Sequence, residues 1–281
     1  MRELPEPYAS HLPPLLAAAL AEDLPDLTGP AVFGPDETVT AALVLKAPGV
    51  LAGAPAFAAA FEFLDARCRV EALRGDGDAV GTGDEAARVH GPARAVLAAE
   101  RTALNFVTRL SGVATLTRRF VDAVAGTTCK ILDTRKTTPG WRALEKHAVR
   151  CGGGTNHRMG LYDAAMLKDT HLAAAGSITV AVSRVRERWG DDIELVVECA
   201  DLVMVEEALA CKVGHIMLDN MDIAGVRGAV ALTAGRARLE VSGGVTLATV
   251  RAFAETGADF VSVGALTHSA PALDLSLKVR P

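Results

Sequence analysis

The sequence contains few aromatic residues: phenylalanine, tryptophan and tyrosine together make up 4% of the 281 residues. This scarcity disfavours a surface on which single-stranded nucleic acid stacks its bases. The chain also lacks a cysteine framework, because its cysteines are odd in number and no two are spaced as C-x-x-C. We therefore expect reduced thiols and a cytoplasmic location. The cysteines are Cys68, Cys129, Cys151, Cys199 and Cys211.

A long hydrophobic run is also missing. The longest aliphatic stretch near the start, residues 15–21, is far too short to span a bilayer. The opening sequence MRELPEPYASHLPPLL shows no basic segment followed by an apolar core, so we expect no secretory signal and no membrane association. Apolar residues nonetheless make up 50% of the chain and charged residues 22%. That balance excludes disorder and predicts one large or two moderate folded domains.

Positive charge is concentrated in one quarter of the chain. Residues 101–171 contain eight arginines and four lysines against five acidic residues, a net charge of +7, whereas the whole chain carries −5. The remainder must then carry −12. Such segregation favours a concave site for a small, strongly anionic ligand. A dimer interface or a solvated helical face explains the charge equally well at this point.

The first 100 residues have the pattern of a mixed α+β unit. Residues 12–21 are typical of a helix, and Val39, Ala41, Leu43 and Leu45 alternate with polar residues as in a half-buried strand. Residues 74–85, RGDGDAVGTGDE, are turn material between two further strand-like runs. From Pro92 onward, the segment ARAVLAAERTALNFVTRL predicts a long helix that links this unit to the next.

The second part of the chain alternates short β-branched runs with helical stretches. The runs end in polar or small residues 21 to 35 residues apart, the length of a βα repeat. This alternation predicts a parallel sheet with right-handed crossovers, and six repeats favour closure into a barrel. Helices between them are expected to start at Ser177, Asp201 and Thr246 and to stop near Gly190, Gly214 and Gly257. The runs are residues 129–136, 164–169, 194–198, 215–220, 238–244 and 259–265.

Charged residues and glycines stand at nearly every predicted strand end, where α/β barrels carry their catalytic groups. A cationic set is formed by Arg135, Lys136, His157, Arg158 and Lys168. Arginine grips a carboxylate or phosphate with two hydrogen bonds, whereas lysine acts as a compact point charge. Each of these residues also has a plainer explanation. Arg158 could be a surface residue, His157 a core histidine and Lys168 an ion-pair partner of Asp169. A lysine at a strand end also permits a Schiff-base aldolase, although the crowding of cations opposes it.

Two carboxylates and two glycine-rich loops complete the predicted mouth of the barrel. Glu198 and Asp219 end adjacent strands and would face one cavity, where they fit Mg²⁺ shared with substrate oxygens or hydrogen bonds to sugar hydroxyls. Ser242, Gly243 and Gly244 favour phosphate binding through backbone N–H groups over a plain tight turn, as do Gly264 and Ala265. No cysteine or histidine pair has the spacing of a zinc site.

Five sequence motifs follow one another along the second and third parts of the chain: ERTALN at 100–105, DTRKTTPG at 133–140, RCGGG with NHR at 150–158, IMLDNM at 216–221 and SVGALTHS at 262–269. In this order they resemble the quinolinate phosphoribosyltransferase family, also called nicotinate-nucleotide pyrophosphorylase (decarboxylating). The similarity extends from about residue 37 to residue 277.

The resemblance implies an α/β fold with an N-terminal α+β sandwich domain followed by an incomplete, TIM-like α/β barrel. The domains would be residues 1–112 and 113–270, with the tail 271–281 packing on the first. The implied activity is that of a pentosyltransferase. It transfers phosphoribosyl from phosphoribosyl pyrophosphate to quinolinate, with Mg²⁺ and no organic cofactor. The products are nicotinate mononucleotide, pyrophosphate and CO₂, for de novo NAD biosynthesis.

The resemblance also assigns roles to individual residues. The quinolinate carboxylates would be held by Arg101, Arg135, His157, Arg158 and Lys168. The phosphates would meet Lys136 and two loops, and the ribose or the metal would meet Glu198 and Asp219. The catalytic set would be Lys136, Lys168, Glu198 and Asp219. The remaining substrate contacts would be Thr134, Ser242, Gly243, Gly244, Val263, Gly264 and Ala265.

Physical arguments agree with these roles. The two substrates bring about six to seven negative charges, which the +7 segment and Mg²⁺ could offset. The family also implies a homodimer with shared active sites, or a higher oligomer, and no nucleic-acid partner. Two positions depart from its pattern: Thr155 stands where a basic residue is common, and Thr170 interrupts K-D-N-H. Both concern affinity more than reaction type.

Two other functions remain open from the sequence. A paralogue of the same fold, of the kind found in molybdenum-transport operons, would act on another heterocycle. A non-catalytic phosphate-binding barrel would act as a sensor, but retention of Glu198 and Asp219 beside five cations argues against it.

Overall fold

The computed structural model describes residues 7–280, which divide into two compact units. The first unit contains residues 7–118, 137–153 and 266–280, and the second contains residues 119–136 and 154–265. The domain boundary expected after residue 112 lies inside a helix, Ala93–Ala123, and stays a prediction. None of the helices within residues 7–280 is long and apolar enough to cross a membrane.

The first unit is built on antiparallel strands with helices packed beside them. A four-stranded sheet has the order β12-β1-β5-β3, and β2 pairs with β4. The tail strand β12 therefore lies against β1. The elements that begin in this unit are α1 (Tyr8–Asp23), α2 (Gly29–Val32), β1 (Thr38–Leu45), β2 (Gly49–Val50), α3 (Ala54–Leu64), β3 (Arg69–Ala72), β4 (Ala79–Val80), β5 (Glu85–Pro92), α4 (Ala93–Ala123), α5 (Arg142–Cys151) and β12 (Leu275–Arg280).

Burial along β1 differs from the expected alternation. Ala41, Ala42 and Leu43 are all fully buried, because β1 is a central strand whose two faces are both covered. The apolar core of this unit includes Phe57 and Phe61 of α3, whose rings meet edge to face at 5.0 Å. The expected helix over residues 12–21 is the buried part of α1, and the helix expected from Pro92 is α4, 31 residues long.

The second unit has the six parallel strands that the sequence predicts. Its strands are β6 (Lys130–Leu132), β7 (Ala165–Leu167), β8 (Leu195–Cys199), β9 (His215–Asp219), β10 (Arg238–Ser242) and β11 (Phe260–Ser262). The helices among and after them are α6 (Asp169–Ala175), α7 (Ile178–Trp189), α8 (Leu202–Ala210), α9 (Ile223–Thr233), α10 (Val250–Ala254) and α11 (Ala265–His268). The fold class expected from the resemblance, an N-terminal domain with strands followed by an incomplete α/β barrel, is confirmed.

The strand order β6-β11-β10-β9-β8-β7 is that of a barrel left open at one seam. The last strand, β11, pairs with the first, β6, as it would in a closed barrel. β6 and β7 do not pair. Instead, the segment after α5 runs past β6: Thr155 N–H donates to Ile131 O at 2.8 Å, and Asp133 N–H donates to Thr155 O at 3.2 Å. One non-strand segment therefore lines the gap that the missing strands leave.

Two of the three expected helix starts in this unit are N-caps. Ser177 accepts a hydrogen bond from Val180 N–H at 3.1 Å, and Asp201 accepts one from Met204 N–H at 2.8 Å. Gly190 follows the end of α7 as expected, whereas α8 ends at Ala210 and α10 at Ala254, before the expected Gly214 and Gly257. The start expected at Thr246 was wrong, since the N-cap of α10 is Thr249. Thr246 O accepts from the N–H groups of Thr249 and Val250, so it begins a turn, and α10 starts only at Val250.

Strand side chains alternate between the barrel interior and the opposite face, as the two-residue period of a strand requires. On β10, Glu240 and Ser242 line an interior cavity, whereas Leu239 and Val241 are buried apolar residues of the other parity. The same alternation places Met217 and Asp219 of β9 inside. The interior therefore consists of stacked layers, with the predicted strand-end residues forming the uppermost layer.

Candidate active site

A cavity of about 330 Å³ opens at the carboxyl ends of the barrel strands. All five predicted cations of the barrel line it, and so do both predicted carboxylates. The predicted residues that it brings together are Thr134, Arg135, Lys136, His157, Arg158, Lys168, Glu198, Asp219 and Ser242.

Arg101 does not line this cavity. It belongs to the first unit, where it is exposed on α4 and borders a separate depression of about 290 Å³ that also contains Glu22 and Asp23. The other predicted residues outside the lining are Gly243, Gly244, Val263, Gly264 and Ala265. The glycines Gly243 and Gly244 directly follow Ser242, whereas Val263 is buried at the end of β11 and donates its N–H to Leu132 O at 2.9 Å.

Two guanidinium groups form one wall of the cavity. Nε of Arg135 is buried and has no hydrogen-bond partner within residues 7–280. Burial, followed by repulsion from Arg135, lowers the pKa of Arg158, and Asp163 offsets only part of this. Arg158 is held in place by a hydrogen bond from Nη1 to Ala164 O, 2.7 Å long. Two like charges, one with an unused donor, make this wall a binding surface for an anion.

The segment that lines the barrel gap is anchored by Asp133. This fully buried carboxylate accepts a hydrogen bond from Asn156 Nδ2 at 2.6 Å and another from His157 N–H at 2.8 Å. Asp133 stands next to the predicted site residues in sequence, but its carboxylate contacts the segment. It thereby fixes the backbone from which His157 and Arg158 project.

Lys168 does not pair with Asp169, the plainer explanation considered for it. Its ammonium lies 3.4 Å from Oε2 of Glu198, across two neighbouring strands, and its side chain is 46% exposed. Asp219, on the next strand, accepts a hydrogen bond from Asn220 Nδ2 at 2.7 Å. The cavity therefore holds two carboxylates that are in contact with a cation and an amide but remain accessible from the mouth.

The glycine loop after β10 requires glycine for two reasons. Gly243 and Gly244 have φ angles of +100° and +60°, which L side chains rarely adopt. At Gly243 a Cβ atom would also collide with the side-chain oxygen of Asn220, whereas at Gly244 it would meet nothing within 4 Å. Asn220 N–H in turn donates to Ser242 O at 2.8 Å. The Gly244 backbone is thus open to a ligand, and Gly243 holds the loop against the end of β9.

The segments that follow two predicted phosphate contacts share one anchor in the first unit. Glu145 is fully buried and accepts hydrogen bonds from Thr138 N–H at 3.0 Å and Thr138 Oγ1 at 2.9 Å. Arg109 pairs with Glu145 at 2.9 Å and also donates to Ala270 O at 2.9 Å and to Thr267 O. Thr138 lies two residues after Lys136, and Thr267 two residues after Ala265, so one ion pair anchors both segments.

Sequence reasoning missed four lining residues: Met166, Met217, Glu240 and Ser262. Each lies two residues before a strand-end position, and so faces the same interior one layer deeper. That two-residue offset was readable from the sequence once the strand ends were assigned. Glu240 is the informative omission, because a carboxylate inside a predicted strand is unusual and therefore a signal in itself.

The first unit contains a cluster of metal-ligand type that the spacing argument had not anticipated. Atoms of Asp76, His147 and Cys151 lie within 4.8 Å of one another. A structural role explains them: His147 Nε2 lies 2.9 Å from Asp76, and Asp76 accepts from Ala54 N–H at the start of α3. Burial, then the Asp76 charge, raises the pKa of the Cys151 thiol to about 12, so the thiol stays protonated.

Comparisons with known proteins agree on one family. The family model "quinolinate phosphoribosyl transferase, C-terminal domain" matches residues 113–278, and the corresponding N-terminal domain model matches residues 26–111. The chain belongs to the quinolinate phosphoribosyltransferase family. The resemblance noted in the sequence motifs is therefore confirmed.

Individual members of the quinolinate phosphoribosyltransferase family are similar over nearly the whole chain. A probable nicotinate-nucleotide pyrophosphorylase (carboxylating) of Bacillus subtilis is 44% identical, over 90% of this chain and 88% of its own. The chloroplastic enzyme of Arabidopsis thaliana is 43% identical, over 94% and 82%. The crystal structure of NadC from Streptococcus pyogenes superposes with a TM-score of 0.94 at 40% identity, covering 100% of this chain and 99% of that one.

The two residues that depart from the family pattern, Thr155 and Thr170, are both exposed. Thr155 is exposed and contributes its backbone, not its side chain, to the contact with β6. Thr170 is exposed in the first turn of α6, where His171 Nδ1 accepts from Lys168 N–H at 3.0 Å. Neither side chain lines the barrel cavity.

A pair of glycine substitutions tests the geometry of the β10 loop. Gly243→Ala should lower the free energy of unfolding by about 3 kcal/mol, about 1 from the left-handed backbone and about 2 from the collision with Asn220. Gly244→Ala, which incurs only the backbone cost, should lower it by about 1 kcal/mol. Urea-induced unfolding measures both. Equal losses would mean that Asn220 moves aside freely and that Gly243 does not hold the loop.

Proposed function

We propose that this barrel cavity transfers the phosphoribosyl group of phosphoribosyl pyrophosphate to quinolinate and decarboxylates the product. The observation that carries the proposal is the wall formed by Arg135 and Arg158. Neither guanidinium forms an ion pair with a carboxylate within residues 7–280, and Arg135 has a buried, unused donor. A substrate with two adjacent carboxylates supplies the missing acceptors. Relatives 44% and 43% identical to this chain are named for the same activity.

We assign the quinolinate end of the site to the gap side of the barrel. Arg135 and Arg158 would hold the carboxylates, Lys168 would contribute a further charge, and His157 would lie beside them. These residues come from the end of β6, the segment that lines the gap, and the end of β7. Because they surround the seam of the barrel, the planar pyridine ring would be bound where no strand fills the interior.

The phosphoribosyl end would lie against the remaining strands. Lys136 and Thr134 are placed to meet the pyrophosphate, and Glu198 and Asp219 the ribose hydroxyls. The 5-phosphate would bind to backbone N–H groups of the loops after β10 and β11. Its expected contacts are Ser242, Gly243, Gly244, Val263, Gly264 and Ala265.

Mg²⁺ fits the donor set of this cavity. Glu198 and Asp219 offer only oxygen atoms, which Mg²⁺ prefers, and two carboxylates leave room for substrate oxygens and water in an octahedral shell. When bound, the ion would neutralise charge on the departing pyrophosphate. The protein supplies the rest of that stabilisation through Lys136 and the arginines.

The reaction balances without an organic cofactor. The quinolinate ring nitrogen forms a bond to the anomeric carbon as the carbon–oxygen bond to pyrophosphate breaks, and the ring becomes a pyridinium. The bond from C2 to its carboxylate then breaks and CO₂ leaves. The electron pair stays on C2, where the adjacent positive nitrogen stabilises it until a proton is taken up. The residues around the cavity position the reactants and exclude water.

The decisive experiment for the function is also a test of specificity. The protein is incubated with phosphoribosyl pyrophosphate, Mg²⁺ and either quinolinate or nicotinate, and nicotinate mononucleotide and CO₂ are measured. Quinolinate should be turned over with release of one CO₂ per nucleotide. Nicotinate lacks the 2-carboxylate and would leave buried cationic charge unpaired. Its kcat/KM should therefore be lower than that of quinolinate by a factor of about 100 or more. Comparable turnover of both would contradict a site built for two carboxylates.

Replacing Arg135 with lysine tests whether geometry or charge is needed. Arg135→Lys should reduce kcat/KM for quinolinate by about tenfold or more, because an ammonium cannot form two parallel hydrogen bonds to a carboxylate. Arg251→Lys is the matched control, since Arg251 is exposed and, among the described residues 7–280, pairs with Glu255 and Ala125 O alone. The control should stay within about twofold of the original protein. Near-original efficiency of Arg135→Lys would show that Arg135 acts as a diffuse charge.

We propose further that the working unit is a homodimer in which Arg101 of one subunit completes the barrel site of the other. The support is that Arg101 is exposed and does not line the barrel cavity of its own chain. Its predicted carboxylate contact would then be made with the partner's substrate.

Mixing two inactive variants tests this arrangement. Arg101→Ala and Lys168→Ala should each abolish activity in their own homodimers. In a mixed dimer both defects fall in one site, and the other site is intact. Because random exchange makes half the dimers mixed, refolding the variants together should restore about a quarter of the original activity. If subunit mixing is verified by mass and no activity returns, Arg101 acts within its own chain or has no role.

Two remaining expectations also belong to this proposal. A Schiff-base reaction at Lys168 is opposed by its ion pair with Glu198, 3.4 Å away, which the amine would have to leave in order to attack a carbonyl. A cytoplasmic location is supported by the cysteines, all five of which are free thiols.

A further inference from the structure

A buried carboxylate lies in the layer directly beneath the strand-end residues. Glu240 is fully buried in the middle of β10, and its Oε2 atom is inaccessible to solvent. Two imidazole rings approach that same atom: Nε2 of His215 at 2.9 Å and Nε2 of His157 at 3.2 Å. The other oxygen, Oε1, accepts a hydrogen bond from the Ser262 hydroxyl. Glu240 therefore contacts a predicted substrate-binding residue from below.

The carboxylate is ionised in the folded protein. Burial opposes ionisation, but the side-chain contacts with His157, His215 and the Ser262 hydroxyl outweigh it and lower the pKa of Glu240. A buried charge of this kind is stable only while its partners stay in place.

Both ring nitrogens of His157 are engaged by the protein. Nδ1 accepts a hydrogen bond from the backbone N–H of Arg158 at 2.7 Å, and Nε2 faces Glu240. A proton on Nδ1 would place two N–H groups against each other, so the proton of the neutral ring belongs on Nε2. The His157 backbone is fixed separately by Asp133, which accepts its N–H at 2.8 Å. The ring and the main chain thus have independent anchors.

His215 supports the carboxylate from the opposite side. It is buried at the start of β9, with its ring 5.7 Å from that of Phe260, and its Nδ1 lies 4.0 Å from a carboxylate oxygen of Glu194. Unlike His157, its Nδ1 accepts no backbone hydrogen bond within residues 7–280.

We propose that Glu240, supported by His215 and Ser262, is a positioning residue that holds His157 as the neutral Nε2–H tautomer. Through the Nδ1 contact, this arrangement fixes the backbone from which Arg158 reaches the substrate. The positive charge that faces the substrate carboxylates is then supplied by the arginines and Lys168. His157 forms a neutral part of the wall. The consequence for catalysis rests on the proposed function, since it requires that Arg158 binds quinolinate. The tautomer itself does not.

The wild-type protein supplies the first measurement. In protein labelled with ¹⁵N-histidine and free of ligand, the His157 signals at pH 7 should be those of a neutral ring with its proton on Nε2. Substitution of His157 identifies its signals. A proton on Nδ1, or an imidazolium at pH 7, would overturn the proposal. This result does not depend on whether the protein turns over quinolinate.

Glu240→Gln then tests the cause. The variant keeps the side-chain volume but removes the charge, so the His157 signals should shift toward a mixture of tautomers. The KM for quinolinate should rise about tenfold, while that for phosphoribosyl pyrophosphate stays within about twofold. The matched control is Glu145→Gln, an equally buried carboxylate in the first unit, which should leave the His157 signals unchanged.

The outcomes separate the two proposals. Unchanged His157 signals in Glu240→Gln, or equal changes in both KM values, would contradict positioning by Glu240. An inactive wild-type protein with the expected tautomer would contradict the proposed function alone. If Glu240→Gln does not fold, His215→Gln replaces it, because it removes the second support of the same carboxylate and should shift the His157 signals in the same direction. Signals unchanged in that variant would overturn the proposal.

Discussion

The gap between β6 and β7 is the feature on which the rest of the barrel depends. A closed barrel would pair these strands and fill the interior with their side chains. Here a single segment takes their place, and it is held by two backbone hydrogen bonds to β6 and by the carboxylate of Asp133. Every cation of the candidate site comes from one side of this gap or from the segment that lines it. The open seam therefore supplies both the space and the positive charge.

Charge is arranged in the barrel by depth. The uppermost layer combines cations with Glu198 and Asp219, whereas the layer below contains the ionised Glu240 with its two imidazoles. Glu240 in the deeper layer contacts His157, His215 and Ser262, whereas Nε of Arg135 at the mouth has no hydrogen-bond partner within residues 7–280. An anion entering the mouth thus meets an unused donor above a buried layer of side chains that contact one another. Such preorganisation allows binding without rearrangement of the charged groups.

Within the first unit, one ion pair holds together segments that are distant in the sequence. Glu145 accepts hydrogen bonds from Thr138, and its partner Arg109 donates to the carbonyl oxygens of Ala270 and Thr267. The buried carboxylate is stable here because each of its oxygens has a partner.

Much of the architecture was determined by local sequence. Six β-branched runs with polar ends predicted the six parallel strands, and Ser177 and Asp201 marked helix starts, because strand periodicity and N-caps act over a few residues. The strand-end rule likewise brought seven predicted residues to one cavity, which His157 and Arg158 of the gap segment also line. The start of α10 was misplaced, because Thr246 O accepts hydrogen bonds from the N–H groups of Thr249 and Val250 and so begins a turn. Residue types alone do not distinguish this turn from a helix start.

What only the tertiary structure decided is the pairing of groups distant in the chain. Lys168 pairs with Glu198 and not with the adjacent Asp169, because strands β7 and β8 lie side by side. Glu240 meets His157 and His215 because three separate segments converge inside the barrel. Arg101 of α4 comes together with Glu22 and Asp23 of α1 at a depression in the first unit. The sequence determines the type of each residue and the hydrophobic periodicity of each helix and strand. Strand order and register then determine which charged residues come into contact.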